Sequence, residues 1–259
     1  MIFGTVEFSV AFRRYERAWA DATHVVFRFV FKGPRDSRRP SHFTIMKVAI
    51  LSESPADEEA IRVLVEGVLR RPIERVQAGL RARGWPNVAQ ILPAIIRHLH
   101  FNTRADGLVV VVDSDDSVVH TTDHEVPNYY HPHCRMCQLR GIFRRTSKKL
   151  PPAGGRSRML RCVGVAVPAV EAWYLCGRDE SVSEAEWTNG QRTGIAPYTR
   201  RELKWRVYGT ERPSLPLETE RALQEVRRHR GDLRRLEYDF PLGFGLMAQD
   251  LRDWSKSDS

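Results

Sequence analysis

Leu108 to Val112 form an unbroken, mostly β-branched apolar run that ends in Asp113, Asp115 and Asp116. A run this short, bounded by polar residues, predicts a strand buried on both faces, as in a parallel sheet covered by helices. Lys47 to Leu51 has the same character and stops just before Glu53. Beyond it the pattern changes from a run to a stripe: Ile61, Leu64, Val65, Val68 and Leu69 recur at helical spacing. Ser54 supplies an N-cap for that helix, Pro55 suits its first position, and Asp57 completes a capping-box-like pattern. A short strand is expected near Ile73 to Val76, then a helix over Val88 to His100 in which Pro93 marks a kink or a delayed start. Asn102 to Gly107 reads as a polar turn into the Leu108 strand.

The residues after Asp116, VVHTTDHEVPNYYHPH, read as a loop by their Pro, Asn and His content. Cys134 to Leu150 has a helical pattern with Met136, Leu139, Ile142 and Phe143 on its apolar side. PPAGGRS is a linker, MLRCVGVAV another strand, and PAVEAWYLC a helix opening at Pro168. From Ser181 polar loops surround YTRRELKWRVYG, LETERALQEVRRHRGDLRRL is a charged helix, and FPLGFGLMAQDLRDW an apolar cap. Strands alternating with helices predict an α/β fold, a mainly parallel sheet flanked by helices, with a small helical C-terminal extension. The division expected is 1–45, 46–180 for the α/β domain, and 181–259 for the mostly helical end. In the first segment VEFSV and HVVFRFVF are candidate strands, either an added edge hairpin or an upstream extension.

Composition sharpens the partner more than the fold. The 259 residues are 42% hydrophobic and 28% charged, enough for a core, and the net charge is +9. That excess points to a polyanion, with nucleic acid, DNA or RNA, first. No apolar run reaches the roughly 18 residues of a membrane span, so no membrane partner is expected. The opening residues lack the charge-then-apolar order of a secretory signal, and four cysteines are too few for a disulfide scaffold. A cytoplasmic location is therefore expected. No G-x-x-x-x-G-K-[ST] occurs, so an ATPase, if one is needed, would be a separate partner protein.

Three groups of residues carry candidate chemistry. Asp113 and Asp115, with Asp116, crowd the carboxyl end of a buried strand, where open α/β sheets place their sites. A hard divalent cation such as Mg²⁺ is the simplest relief for their repulsion. Glu171, in a first helical turn, is either a further metal ligand or a helix-capping acid. Between Val126 and Val170 no acid occurs, while Arg135, Arg140, Arg144, Arg145, Lys148 and Lys149 all do. Such a basic arm suits a phosphate backbone, and Tyr129 and Tyr130 can stack bases. The third group is HPHCRMC, where His131, His133, Cys134 and Cys137 can hold Zn²⁺, with His120 and His124 upstream; half-buried thiols are the plainer reading. Trp173, Tyr174 and Trp205 have spacings typical of core.

A first strand ending in Glu53 and a later buried strand ending in D-x-D at Asp113 and Asp115 resemble the Toprim domain, the metal-binding fold of topoisomerases, primases and OLD-family nucleases. The resemblance implies Glu53 as general acid or base or metal ligand, Asp113 and Asp115 as ligands of Mg²⁺ or Mn²⁺, and Asp116 and Asp57 as auxiliaries. VAVPAVEAWYL is similar to the E-x-W segment of small bacterial Toprim-like proteins, with Glu171 and Trp173 at its positions. The likeness spans about Lys47 to Gly177, with a weaker echo in YTRRELKWRVYG. It implies a metal-dependent nuclease or related phosphotransfer enzyme, in bacterial defence or genome maintenance. The alternatives are a non-catalytic nucleic-acid or partner-binding module and a small-molecule phosphohydrolase. One position departs: Ser54 stands where Toprim domains usually have glycine after the glutamate.

Overall fold

The structure is a computed structural model describing residues 45–126, 129–151, 158–229 and 231–257. The candidate strands of residues 1–44, whether an edge hairpin or an upstream extension, and the glycine-containing part of the PPAGGRS linker lie outside the described residues. Strands β1 (Met46–Leu51), β2 (Ile73–Val76), β3 (Gly107–Asp113) and β4 (Leu160–Ala166) form one sheet in the order β2-β1-β3-β4. All pairings are parallel. Between the strands run α1 (Pro55–Leu69), α2 (Trp85–Asn102) and α3 (Arg135–Lys148), and after β4 come α4 (Val170–Leu175), α5 (Glu184–Thr193) and α6 (Arg200–Tyr208). The chain closes with α7 (Leu215–His229), α8 (Arg234–Asp239), a π-helical turn at Pro241–Gly245, and α9 (Leu246–Ser257). No described helix is long and apolar enough to cross a membrane. The fold is thus α/β with a parallel sheet flanked by helices.

The β3 run is buried on both faces for the reason its sequence suggests. Val109 and Val111 enter one core, shared with α1, α4, α7 and α9; Leu108, Val110 and Val112 enter the other, shared with α2 and α3. Each such side chain contributes roughly 1.5–3 kcal/mol by leaving water. The helices after residue 181 belong to the first core: Leu203, Val226, Phe240, Phe244, Met247, Leu251 and Trp254 pack in one cluster with Val48, Ile50 and Val111.

Local signals set most boundaries. Ser54 caps α1, its hydroxyl accepting the Asp57 N–H at 3.2 Å and donating to the Asp57 carboxylate at 3.0 Å. Helix α2 starts at Trp85 rather than Val88, because Pro86 already fits the first turn, and Pro93 lies inside it. The lost backbone bond is tolerated there because Val88, Leu92, Ile95, Ile96 and Leu99 form one buried stripe. Helix α4 starts at Val170 rather than Pro168, since Ala169 is still extended. The charged C-terminal stretch divides into α7 and α8 rather than one helix. Trp205 is not core: α6 buries Leu203, Val207 and Tyr208 and turns Trp205 outward, 60% exposed.

Candidate metal centre at the strand ends

The carboxyl ends of β1 and β3 bring Glu53 and Asp113 together. Glu53 Oε1 accepts the Asp113 N–H at 3.1 Å. Asp113 Oδ1 accepts the Val170 N–H at the start of α4 at 2.9 Å, and its Oδ2 accepts from Arg200 Nη2 at 2.7 Å. The chain then turns back on itself: Ser114 and Asp115 both donate their N–H groups to the Pro168 carbonyl, at 3.0 and 2.9 Å. The turn holds Asp115 at φ 47°, a left-handed conformation that aspartate adopts more readily than most residues. Asp115 Oδ2 pairs with Arg135 Nη2 at 2.6 Å, and its Oδ1 pairs with Arg200 Nη1. Arg135 Nη1 also donates to the Asp113 carbonyl at 2.6 Å and lies 3.8 Å from Glu53 Oε1, while its guanidinium stacks over Trp85 at 5.0 Å. The turn after Glu53 needs no glycine in this chain, because Ser54 is extended, at φ −139°.

Behind this pair lies a second layer of buried acids. Glu171 is buried, with Oε1 3.9 Å from Lys204 Nζ and Oε2 without a hydrogen-bond partner. Asp57, buried in the first turn of α1, accepts from the Tyr174 hydroxyl at 3.1 Å. Burial, then the charge of Asp113, pushes the Glu53 carboxyl up. Burial also raises Asp113, against the pull of Arg200 and the Val170 N–H. Glu171 is pushed up to about 8 by burial and by Asp113, and Asp57 well above the carboxylate range by burial and by Glu171. Burial is the largest cause of each shift, and for Glu53, Glu171 and Asp57 a neighbouring carboxylate adds to it, so positive charge beside these groups is favoured. The donors are all oxygen and come from separate elements, and Glu171 Oε2 has no hydrogen-bond partner; their chemistry is of the kind a hard divalent ion takes, although among the described residues these acids do not bring three ligand atoms within 4.8 Å of one another. In the structure Arg135 and Arg200 supply the counter-charge.

Asp116 stands apart. It is exposed and lines a separate cleft with Val118, Trp187 and Gln191, and its charge acts on Arg135. Arg135, expected on the basic arm, instead faces the acids, because it opens α3 directly beside the β3 end. Arg140 pairs with Glu125. Arg144, Arg145, Lys148 and Lys149 remain exposed along α3. Arg140 and Arg144 also line, with Tyr129, Tyr130 and Arg161, a cleft of about 400 Å³. Phe143 is core.

The histidine and cysteine side chains assemble differently from the HPHCRMC expectation. A group that could hold a metal ion is formed by His120, His124, Cys134 and Cys137, whose ligand atoms all lie within 4.8 Å of one another. His131 and His133 are not in it. His133 is exposed, and His131 accepts the His133 N–H at 3.2 Å while stacking on His124. The helical turn at Thr122–Glu125 carries His124 back to the start of α3, so residues farther away in sequence replace the neighbouring pair. Burial pushes the Cys134 thiol up to about 12.

Arg200, Lys204 and the Tyr174 hydroxyl that meets Asp57 are the site groups least visible in sequence. Thr199 and Glu202 do signal the start of α6 by a capping box, and the YTRRELKWRVYG stretch stood out, but neither indicates what the helix meets. Comparison with protein-family models, with curated proteins and with solved structures finds no match.

Proposed function

We propose that the chain is a divalent-metal-dependent phosphodiesterase acting on nucleic acid, a nuclease or a related phosphotransfer enzyme. The observation that carries this reading is the convergence of Glu53, Asp113 and Asp115 at the carboxyl ends of neighbouring parallel strands, around Arg135 and Arg200. Asp113, Asp115 and Glu171 would hold Mg²⁺ or Mn²⁺. Such an ion, when bound, neutralises phosphate charge and lowers the pKa of a coordinated water. Glu53 is half-buried and burial raises its carboxyl above the usual value, the direction that favours a proton-transfer role. Arg135 is fixed by Trp85 and Asp115 and presents guanidinium donors beside the acids; Arg200, 40% exposed, is the group free to leave them. Arg144, Arg145, Lys148 and Lys149 give α3 an exposed basic face for the phosphate backbone of DNA or RNA.

A cytoplasmic setting goes with this reading, since all four cysteines are free thiols. So does a role in bacterial defence or genome maintenance. Any ATP-dependent step would fall to a separate ATPase.

A second reading has one observation in its favour. Both oxygens of Asp113 and of Asp115 are already engaged by protein groups. On that account the core is degenerate and the chain binds nucleic acid or a partner without cutting. Incubation of the full chain with DNA, RNA and nucleotides in Mg²⁺ or Mn²⁺, beside Asp113→Ala, separates the two. Metal-dependent cleavage abolished by Asp113→Ala supports the enzyme; binding without cleavage supports the module.

A further inference from the structure

Two histidines and two cysteines that could hold a metal ion meet about the start of α3, distinct in chemistry from the acid cluster. We propose that His120, His124, Cys134 and Cys137 bind a structural Zn²⁺ that ties the loop following β3 to the first turn of α3. Two thiols and two imidazoles are the donors that borderline-soft Zn²⁺ prefers, and four protein ligands close its tetrahedron, as in structural rather than catalytic sites. The sequence spacing, H-x₃-H followed by C-x₂-C, lies within that of such sites.

The side chains stand nearly at metal-binding separations. In a tetrahedral site with bonds of about 2.3 Å to sulfur and 2.0 Å to nitrogen, ligand S and N atoms lie about 3.5 Å apart. His120 Nδ1 is 3.4 Å from Cys134 Sγ and 3.8 Å from Cys137 Sγ. Both cysteines and His120 are buried, and His124 Nδ1 is enclosed without a hydrogen-bond partner. The outer shell fits as well. Nε2 of His120 meets the Glu125 carboxylate, which Arg140 holds in turn. A carboxylate on the far nitrogen of a ligating histidine fixes the tautomer that leaves the other nitrogen for metal.

The position gives the ion a task. Cys134 is the N-cap of α3, and Arg135, which pairs with Asp115, is the next residue. The loop from Ser114 to Thr121 has Asp115 near one end and His120 near the other. Zinc at this point would therefore brace both the Asp115 turn and Arg135. The proposal stands apart from the nuclease reading, since its readout is metal content.

The test is elemental analysis of the full chain purified from zinc-supplemented cells without chelator. About one zinc per chain is expected, retained in His131→Ala/His133→Ala and lost in His124→Ala and in Cys134→Ser/Cys137→Ser. Because the cysteine variant can fail to fold, wild-type protein loaded with Co²⁺ provides a second measurement. The expected spectrum combines the intense visible bands of tetrahedral cobalt with a thiolate-to-cobalt charge-transfer band. On removal of zinc, amide exchange should quicken across residues 114–126 and 129–137. Zinc below about a tenth per chain together with no tetrahedral cobalt spectrum would overturn the site. Unchanged exchange after zinc removal would overturn its bracing role.

Discussion

Arg200 donates from Nη2 to Asp113 Oδ2 at 2.7 Å, joining α6 to the last residue of β3 across 87 positions of sequence. The same guanidinium pairs with Asp115, so one side chain from the C-terminal helices offsets both acids of the D-x-D motif. Arg200→Ala should leave Asp113 with the Val170 N–H and Asp115 with Arg135, each short of one cationic partner. A destabilisation of about 1–3 kcal/mol is expected, below the figure for a fully buried pair because Arg200 is 40% exposed. Mn²⁺ should raise the melting temperature of the variant more than that of wild type, since the cation replaces the lost charge. Thermal denaturation with and without Mn²⁺ reads this directly; equal shifts in the two proteins would count against a shared site for arginine and metal.

The exposed basic residues of α3 should act through phosphate neutralisation. Replacing Arg144, Arg145, Lys148 and Lys149 together by alanine should lower the slope of log affinity against log salt by about 3, at roughly 0.7–0.9 for each charge in contact. Arg135→Ala belongs to another class: its side chain is 11% exposed and bound to Asp115, so the main effect expected is loss of stability and not a smaller salt slope. Fluorescence anisotropy over a salt series, paired with chemical denaturation, distinguishes the two.

Glu184 gives a pH signature remote from the acid cluster. Its Oε2 accepts the Leu242 and Gly243 N–H groups at 3.0 and 3.2 Å, and burial pushes its carboxyl up to about 7. A raised acid binds its proton more tightly folded than unfolded. The associated stability is complete below the unfolded value, near 4.5, and is lost as pH rises through about 7. Glu184→Gln keeps an acceptor for both N–H groups and cannot ionise, so its stability should exceed that of wild type progressively between pH 5 and pH 8. The gap has an upper bound of about 3 kcal/mol, from the size of the shift. Urea denaturation at several pH values measures it, and parallel curves for the two proteins would contradict the assignment.

Gly243 sits where the Pro241–Gly245 turn crosses β4. A Cβ there would fall well inside contact distance of the Val165 carbonyl oxygen, and backbone on both sides leaves little to yield. Gly243→Ala is expected to destabilise by about 2–4 kcal/mol or prevent folding. Gly194→Ala is the comparison: it has no atom near a new Cβ but lies at φ 75°, so it should show only the smaller cost of its backbone conformation. Melting temperatures of the two variants give the ranking.

The parts of this molecule legible in sequence are those fixed by neighbours in sequence. The Ser54–Pro55–Asp57 cap, the alternation of Leu108 to Val112 between two cores and the Ile73–Val76 strand follow from local pattern, and the acids at the strand ends follow from the strands. What required the fold was direction. Arg135 reads as part of a basic arm, yet as the first residue of α3 it faces the acids. Trp205 has core spacing but lies on the outer side of α6. His131 and His133 adjoin Cys134, whereas the turn at Thr122–Glu125 brings His124 and His120 to the thiols instead. Nothing local indicates that Arg200 meets Asp113.

The central claim is that the acids at the ends of β1 and β3 form a divalent-cation site. Electron paramagnetic resonance of Mn²⁺ titrated into the full chain tests it most directly, beside Asp113→Asn, which keeps an acceptor for the Val170 N–H and removes the charge. The account predicts saturable Mn²⁺ binding by wild type, weakened at least about tenfold in Asp113→Asn and unaffected by His131→Ala. Wild-type protein that binds no Mn²⁺, or binding that Asp113→Asn leaves unchanged, would contradict it.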